Sequence, residues 1–230
     1  MVTVGQIRNY PLFAGLDDAE LARLAPLLGK RVFAQGAYIY YPGNPGLNSY
    51  LVESGMVRLF FTDAAGEEYL LNLIKPLELF GYPLLEDNQL RVSGAAAYQP
   101  STVLSIGRAE FFEMMDISPQ FLRNVYLDLS INARKLLLQT RTLATLSLNG
   151  RLSTMILRLA SEGEQLEHVI ELPCSQEMLA GWVGASRGRV NRALAQLQQM
   201  GLIALDGQKM ALLDFAGLER MAQEQTAEEP

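Results

Sequence analysis

The chain has one cysteine, one histidine and one tryptophan in 230 residues. Cys174 alone cannot close an intramolecular disulfide, nor supply the thiolates of an iron–sulfur cluster or a zinc finger. His168 alone cannot build the two- or three-histidine metal site of a β-barrel oxygenase. It also lies outside the stretch that reads as a barrel, which removes a histidine-held haem from that stretch. His168 itself reads as a loop or strand-edge residue. No nucleophile–base pair or metal cluster is visible, so an enzyme is not expected and neither is a metal or cofactor. Long apolar runs are missing too. Each is interrupted by charge or glycine within a few residues, and no membrane span is expected. No basic, apolar, small-residue signal pattern opens the chain, and the expected compartment is the cytoplasm.

What is present is a real core and a local concentration of positive charge. Hydrophobic residues make up 49% of the chain, and the net charge is −6. An acidic total argues weakly against nucleic acid, but between Ser175 and Leu205 three arginines face one acid, Glu177. There Ser175 reads as the N-cap of a helix whose inner face is Leu179, Ala180 and Val183. Gly184 supplies the positive φ of a tight turn. Ser186 reads as a second N-cap, before a helix with Val190, Ala193, Leu194 and Leu197 inside. A large residue at Ala180 would push the two helices apart. The outer face of the second helix carries Arg187, Arg189, Asn191 and Arg192, a set suited to guanine edges and phosphates in a major groove. Two apolar runs around Asp206-Gly207 then read as a hairpin wing. The bland alternative, two packed amphipathic helices with solvated arginines, leaves the small alanine, the turn glycine, the second cap and the wing as coincidences.

Upstream the order is as informative. Residues 1–30 read as a helical lead-in, capped by Asp17-Asp18 and carried by Leu21, Leu24, Leu27 and Leu28. From Lys30 to Ile106 come short β runs: Arg31–Phe33, Ala37–Tyr41, Ser49–Val52, Val57–Phe61, Tyr69–Ile74 and Thr102–Ile106. Glycines punctuate them, with a hairpin at Asp63-Ala64-Ala65-Gly66. This predicts a small antiparallel barrel or jelly roll. Pro119 opens a long helix running to about Ser147. Leu122, Leu129, Leu136 and Leu143 repeat at heptad spacing on it, the mark of a seam between two copies, with polar Asn132 favouring register. Burial on the chain's own barrel is the competing use of that helix, and both can hold. Leu148-Asn149-Gly150-Arg151 reads as the break, with Asn149 and Gly150 as hinge. After it come an amphipathic helix through Leu152, Met155, Ile156 and Leu159, an acidic loop at 162–167 and a short strand at 169–172. A helix over Leu218–Met221 leads into a polar tail. The fold class is therefore α+β: an antiparallel β-roll over 1–117, a dimerisation helix over 118–147 and a winged helix-turn-helix over 148–230.

That order, with Leu51-Val52-Glu53-Ser54-Gly55-Met56-Val57-Arg58-Leu59 in the roll and Ala185-Ser186-Arg187 opening the second helix, resembles the CRP/FNR family of bacterial transcription regulators. The resemblance covers roughly residues 10–215. It implies a cyclic-nucleotide-binding-like roll, a homodimer on an inverted-repeat site in double-stranded DNA, a small-molecule effector beside the dimer helix, and RNA polymerase as a further partner. The DNA-contacting positions it implies are Ser186, Arg187, Gly188, Arg189, Asn191 and Arg192. The family's usual glutamate, which reads cytosine, is Gly188 here, so Arg189 and Asn191 are the candidates for altered specificity. The implied effector site is Gly81, Tyr82, Pro83, Leu84, Arg91, Val92, Ser93, Tyr126, Asn132, Ala133, Leu136 and Thr140.

Three departures bear on the effector. Tyr82 stands where the cyclic-AMP-binding members have glutamate. Val92 splits Arg91 from Ser93. Leu136-Leu137 replaces a polar Thr-Ser pair. Each hydrogen bond left unmade on a buried sugar-phosphate costs on the order of 1–3 kcal/mol, which argues against cyclic AMP. The missing cysteines argue against the FNR cluster, and the missing sensor-domain histidine against the haem branch. What remains is an apolar pocket with Tyr82, Arg91, Tyr126, Asn132 and Thr140 as its polar groups. It suits a small organic or aromatic acid with its carboxylate on Arg91, closer to the members that sense haloaromatic acids. Two alternatives stay open: a constitutive DNA-binding dimer whose roll is only a scaffold, with these residues filling core and interface, and a cyclic-nucleotide-responsive member.

Overall fold

The structure is a computed structural model, and it describes residues 2–63, 66, 68–83, 89–162, 169–171, 176–207 and 209–223. Leu84, His168, Cys174, the Ser175 cap, the acidic loop and the end of the polar tail lie outside the described residues. The chain divides into two compact units, Met1–Arg134 and Lys135–Pro230.

In the first unit, α1 (Val4–Ile7) and α2 (Asp18–Leu24) form the lead-in. Asp17 caps α2 through a reciprocal box: its carboxylate accepts from the Glu20 backbone at 2.8 Å, and Glu20 accepts from the Asp17 N–H at 3.0 Å. The expected run on to Leu28 is not made. Pro26 has no N–H to continue an α-helix, so Ala25–Leu27 tightens into a 3-10 turn and Leu28 opens the first strand.

Among the described residues eight strands follow: β1 (Leu28–Phe33), β2 (Tyr38–Tyr40), β3 (Asn48–Ser54), β4 (Val57–Thr62), β5 (Glu68–Ile74), β6 (Leu79–Phe80), β7 (Gly94–Ala97) and β8 (Ser101–Gly107). They make two antiparallel sheets, ordered β1-β8-β3-β6 and β2-β7-β4-β5. The β4–β5 hairpin pairs Thr62 with Glu68, and the Gly66 N–H closes its turn on the Asp63 carbonyl at 3.1 Å. β6 and β7 are not foreseen from the sequence. β7 is Gly-Ala-Ala-Ala, poor in strand formers, yet Ala95, Ala96 and Ala97 are fully buried. Gly94 must be small, because a Cβ there would stand 2.3 Å from the Phe60 ring.

Side-chain alternation along the strands divides the core in two. Tyr50, Val52, Val103 and Phe80 point into the roll, while Leu51, Leu79, Leu104 and Ile106 point outward under the helices. That outer layer is closed by α3 (Arg108–Ile117) and the start of α4 (Pro119–Thr145), through Phe111, Met114, Phe121 and Val125. The Ser118 hydroxyl caps α4 by accepting from the Phe121 N–H at 3.2 Å. Among the described residues, Leu77 is the one non-glycine with positive φ, at 74°, in the exposed turn before β6.

In the second unit, α4 ends and α5 (Leu148–Glu162) begins. The break lies at Leu146–Ser147, earlier than expected. Ser147 Oγ accepts from the Gly150 N–H at 3.0 Å and restarts a helix there, so Asn149 and Gly150 lie inside α5. β9 (Val169–Glu171) is followed by α6 (Gln176–Trp182), α7 (Arg187–Gln199), β10 (Ile203–Asp206), β11 (Lys209–Leu212) and α8 (Phe215–Met221). The small sheet runs β10-β11-β9, and Asp206 pairs with Lys209 across the wing's turn, where Gly207 has φ 59°. Asp206 therefore ends a strand instead of opening the turn. The last helix starts three residues before the expected Leu218, because Asp214 caps it on the Gly217 N–H at 2.8 Å.

Candidate functional site

The DNA-facing candidates are six residues on one helix. Val190, Ala193, Leu194 and Leu197 are buried, as their 3-4 spacing requires. Leu179, Ala180 and Val183 bury the facing side of α6. Gly184 makes the turn with φ 63°. The small residue is needed twice there, because a Cβ would also stand 2.6 Å from Leu143 Cδ2. Ser186 has the extended backbone of an N-cap, but its hydroxyl makes no cap bond. Ser186, Arg187, Gly188, Arg189, Asn191 and Arg192 are all exposed. The space around Gly188 is open, with nothing within 4 Å of where its Cβ would be. Arg192 Nε donates to the Gly188 carbonyl, a turn earlier, at 3.4 Å.

Arg151, read from the sequence only as part of the helix break, is a tie between elements. Its Nε donates to the Val183 carbonyl at 2.7 Å and its Nη1 to the Leu146 carbonyl at 2.9 Å. It thereby ties the end of α4 to the turn of the helix-turn-helix. Burial, and secondly the nearby charge of Arg189, hold its guanidinium below the ordinary arginine pKa. Only the basic residue beside a glycine was visible beforehand. Between α7 and the start of α5 lies an open groove of about 330 Å³, lined by Ser147, Asn149, Arg189, Arg192 and Gln196 among others.

The roll residues fall into three groups. Arg91 is 9% exposed. Its guanidinium lies 4.0 Å over the Tyr40 ring and donates to the Asn48 and Gly81 carbonyls. Burial pushes the Tyr40 phenol up to about 12, against the opposing pull of Arg91, so that ring stays neutral. Ser93 hydrogen-bonds the same phenol. Every one of these Arg91 partners is neutral. Tyr82 forms a second group: its hydroxyl donates to Asp128, while Asn132 Nδ2 donates to the Tyr82 oxygen at 3.0 Å and to Asp128 at 3.1 Å. Asp128 was missed, although its place four residues before Asn132 on a helix was a usable signal. Gly81 joins the two groups, since its carbonyl takes Arg91 and its neighbour is Tyr82.

The third group is the remainder, all of it half-exposed or exposed. Pro83 is half-exposed and Val92 is 89% exposed. The side of α4 turned to the roll is Phe121, Val125, Asp128 and Asn132. Tyr126, one residue round from Val125, is 72% exposed, and Ala133 and Leu136 are exposed as well. Thr140 gives its hydroxyl to the Leu136 carbonyl at 2.9 Å and is exposed. Of the single pocket expected from Tyr82, Arg91, Tyr126, Asn132 and Thr140, one chain brings Asn132 to Tyr82 and leaves Tyr126 and Thr140 exposed. Within one chain Tyr126 and Thr140 face outward, because helical spacing puts them on the seam side with Leu122, Leu129, Leu136 and Leu143. Those four leucines are 44%, 44%, 64% and 42% exposed. Among the described residues no cluster of three metal-binding side chains occurs, and no helix is long and apolar enough to cross a membrane.

Comparison with known proteins decides the lineage. The family model for the cyclic nucleotide-binding domain matches residues 30–118, and that for the Crp-like helix-turn-helix domain matches 150–221. The cyclic AMP receptor protein of Thermus thermophilus is 30% identical over 220 residues, covering 94% of this chain and 98% of its own. The chain belongs to the CRP/FNR family. A CRP-like cAMP-activated global regulator of Mycobacterium tuberculosis is also 30% identical, over 92% of this chain and 96% of its own. Among solved structures, a CRP/FNR-family transcriptional regulator from Thermus thermophilus superposes with a TM-score of 0.68 at 28% identity, over 86% of this chain and all of the other. CRP/FNR proteins are DNA-binding transcription regulators, not enzymes.

Proposed function

We propose that the protein is a homodimeric, sequence-specific transcription regulator that binds an inverted-repeat operator in the cytoplasm and takes a small anionic effector in its β-roll. The observation that carries the DNA-binding part is the wholly exposed, basic outer face of α7 beside a buried apolar inner face. The exposed leucine seam of α4 supports the dimer, since four large apolar side chains at heptad spacing stay 42–64% exposed in one chain. The seam residues and the positions around Asn149 and Gly150 would then set how two recognition helices are presented, with RNA polymerase reading the result.

The effector part rests on Arg91. A buried guanidinium resting on a ring and two carbonyls has neutral partners among the described residues, and a carboxylate is the ligand that matches its fork. A small organic acid is favoured over cyclic AMP. The residue in the glutamate position, Tyr82, spends its hydroxyl on Asp128 and Asn132, and Leu136-Leu137 offers a nucleobase no hydrogen bond. The cAMP named in the two 30%-identical relatives is the direct rival. A second reading, a dimer that needs no effector, is favoured by the same Tyr82–Asp128–Asn132 network, because these groups satisfy one another without a ligand.

Thermal unfolding against cyclic AMP, cyclic GMP, haem, benzoate and short aliphatic acids separates these. A site filled at a hundredfold its Kd adds about 2.7 kcal/mol of stability. A shift with an acid that disappears in Arg91→Lys supports the proposal. A shift with cyclic AMP refutes the acid, and no shift with any of them supports the effector-free dimer.

A further inference from the structure

The long helix α4 carries a second exposed apolar line, which the dimer proposal leaves unused. Leu127, Ile131 and Leu138 recur at helical spacing and are 58%, 46% and 53% exposed. At 3.6 residues per turn that line stands about half a turn from Leu122, Leu129, Leu136 and Leu143. It is also well round from Phe121, Val125, Asp128 and Asn132, the side turned to the roll. A partner helix laid on the leucine seam therefore leaves it uncovered.

The charges beside this line are of one sign. Arg123, Arg134 and Arg141 run along one edge of it and Lys135 lies on the other, and all four are exposed. The helix holds one acid, Asp128, which is bonded to Tyr82 and Asn132 at the roll. Among the described residues none of the four basic side chains has an ion-pair partner. A chain of net charge −6 thus keeps its long helix basic.

We propose that this face of α4 docks an acidic amphipathic helix of another protein. The apolar residues of that helix cover Leu127, Ile131 and Leu138, and its carboxylates meet the flanking arginines. From Leu127 to Leu138 the line runs about 16 Å, roughly three turns, which suits one short helix lying alongside. Nucleic acid fits less well, because bases stack on aromatic rings and the line is aliphatic. A second copy of this chain also fits less well. Its exposed acids Glu113 and Asp116 on α3 stand among Phe111, Met114, Met115 and Ile117, which pack on the roll. The stretch after Met221 has acids but no large apolar residue.

The test is fluorescence anisotropy with a labelled peptide of about 15 residues, leucines at helical spacing with glutamates between them, and its twin with lysine for glutamate. The glutamate peptide should bind the full chain, less tightly as salt rises, and the lysine twin should bind at least about tenfold more weakly. Leu127→Gln, Ile131→Gln and the double variant Arg123→Ala/Arg134→Ala should each lose about tenfold, with circular dichroism and sedimentation unchanged. Leu136→Gln, on the seam, should weaken the dimer and leave the peptide's affinity as it was. No binding of the glutamate peptide, equal binding of the two peptides, or full binding by the Leu127 and Ile131 variants overturns the proposal. A lower oligomer in Ile131→Gln gives the face to a second copy, and binding of phosphatidylglycerol vesicles in place of the peptide gives it to a lipid surface; either result overturns it. A wild type that sediments as a monomer yet binds the glutamate peptide through Ile131 overturns the dimer proposal and upholds this one.

Discussion

Arg91 in the β-roll and Arg192 on the recognition helix are the same side chain in opposite circumstances. Arg91 is 9% exposed, stacked on Tyr40 and bonded to two carbonyls. Arg192 is exposed and touches a carbonyl of its own helix. The roll has turned its polar groups inward on each other: Tyr82 with Asp128 and Asn132, Ser93 with Tyr40. In the helix-turn-helix unit the inner face of α7 buries only apolar residues and the arginines of that helix stay outside, while Arg151 is drawn partly inward onto two carbonyls. A buried cation with neutral partners holds structure first and recognises second. An exposed one costs the fold little when removed, and its use has to be sought in a partner.

The sharpest way to break this comparison is to remove each arginine in turn. Arg91→Ala should lower stability by about 2–4 kcal/mol in chemical denaturation, from the lost carbonyl bonds and ring contact. A loss under about 0.5 kcal/mol would mean that Arg91 is as free as Arg192. Arg192→Ala should leave the unfolding midpoint unchanged and weaken operator binding by about 1–3 kcal/mol; near-normal binding by that variant would remove α7 as the reading element. Tyr82→Phe tests whether the inward network is structural. Losing the hydroxyl's bonds to Asp128 and Asn132 should cost about 1–2 kcal/mol, and an unchanged stability would show the network to be incidental. The smallest effect has the opposite sign. Leu77→Gly relieves a left-handed backbone at an exposed position and should stabilise by roughly 0.5–1 kcal/mol, less the entropy that glycine adds to the unfolded chain.

Much of the DNA-binding unit could be read from the sequence because its signals are local. Gly184, Ala180 and the apolar spacing of Val190, Ala193, Leu194 and Leu197 each answer to geometry within a turn or two. The long helix was legible for the same reason, from Pro119 and the leucine heptads. The roll was less so. β7 has a composition that argues against a strand, and it forms one between β2 and β4, where Phe60 leaves Gly94 no room for a side chain and the three alanines are buried. The polar groups near Tyr82 could not be divided in advance, because sequence places Tyr126 and Asn132 on one helix without saying which side meets the roll. Arg151 was invisible as a tie, since both its acceptors are backbone carbonyls, which carry no residue-type signal. The helix break was placed late because Gly150 looks like a breaker, whereas the Ser147 cap is what restarts the helix.

The account stands or falls on whether the exposed seam and the exposed arginines act together. The most direct measurement is selection of bound sequences from a fully random DNA library by the purified, unliganded and effector-supplemented full chain. The account predicts enrichment of an inverted repeat, in one of the two conditions or both, with half-sites about one helical turn apart, as two recognition helices joined by a two-fold axis require. Enrichment of a single unsymmetrical site, or of none under either condition, would contradict it.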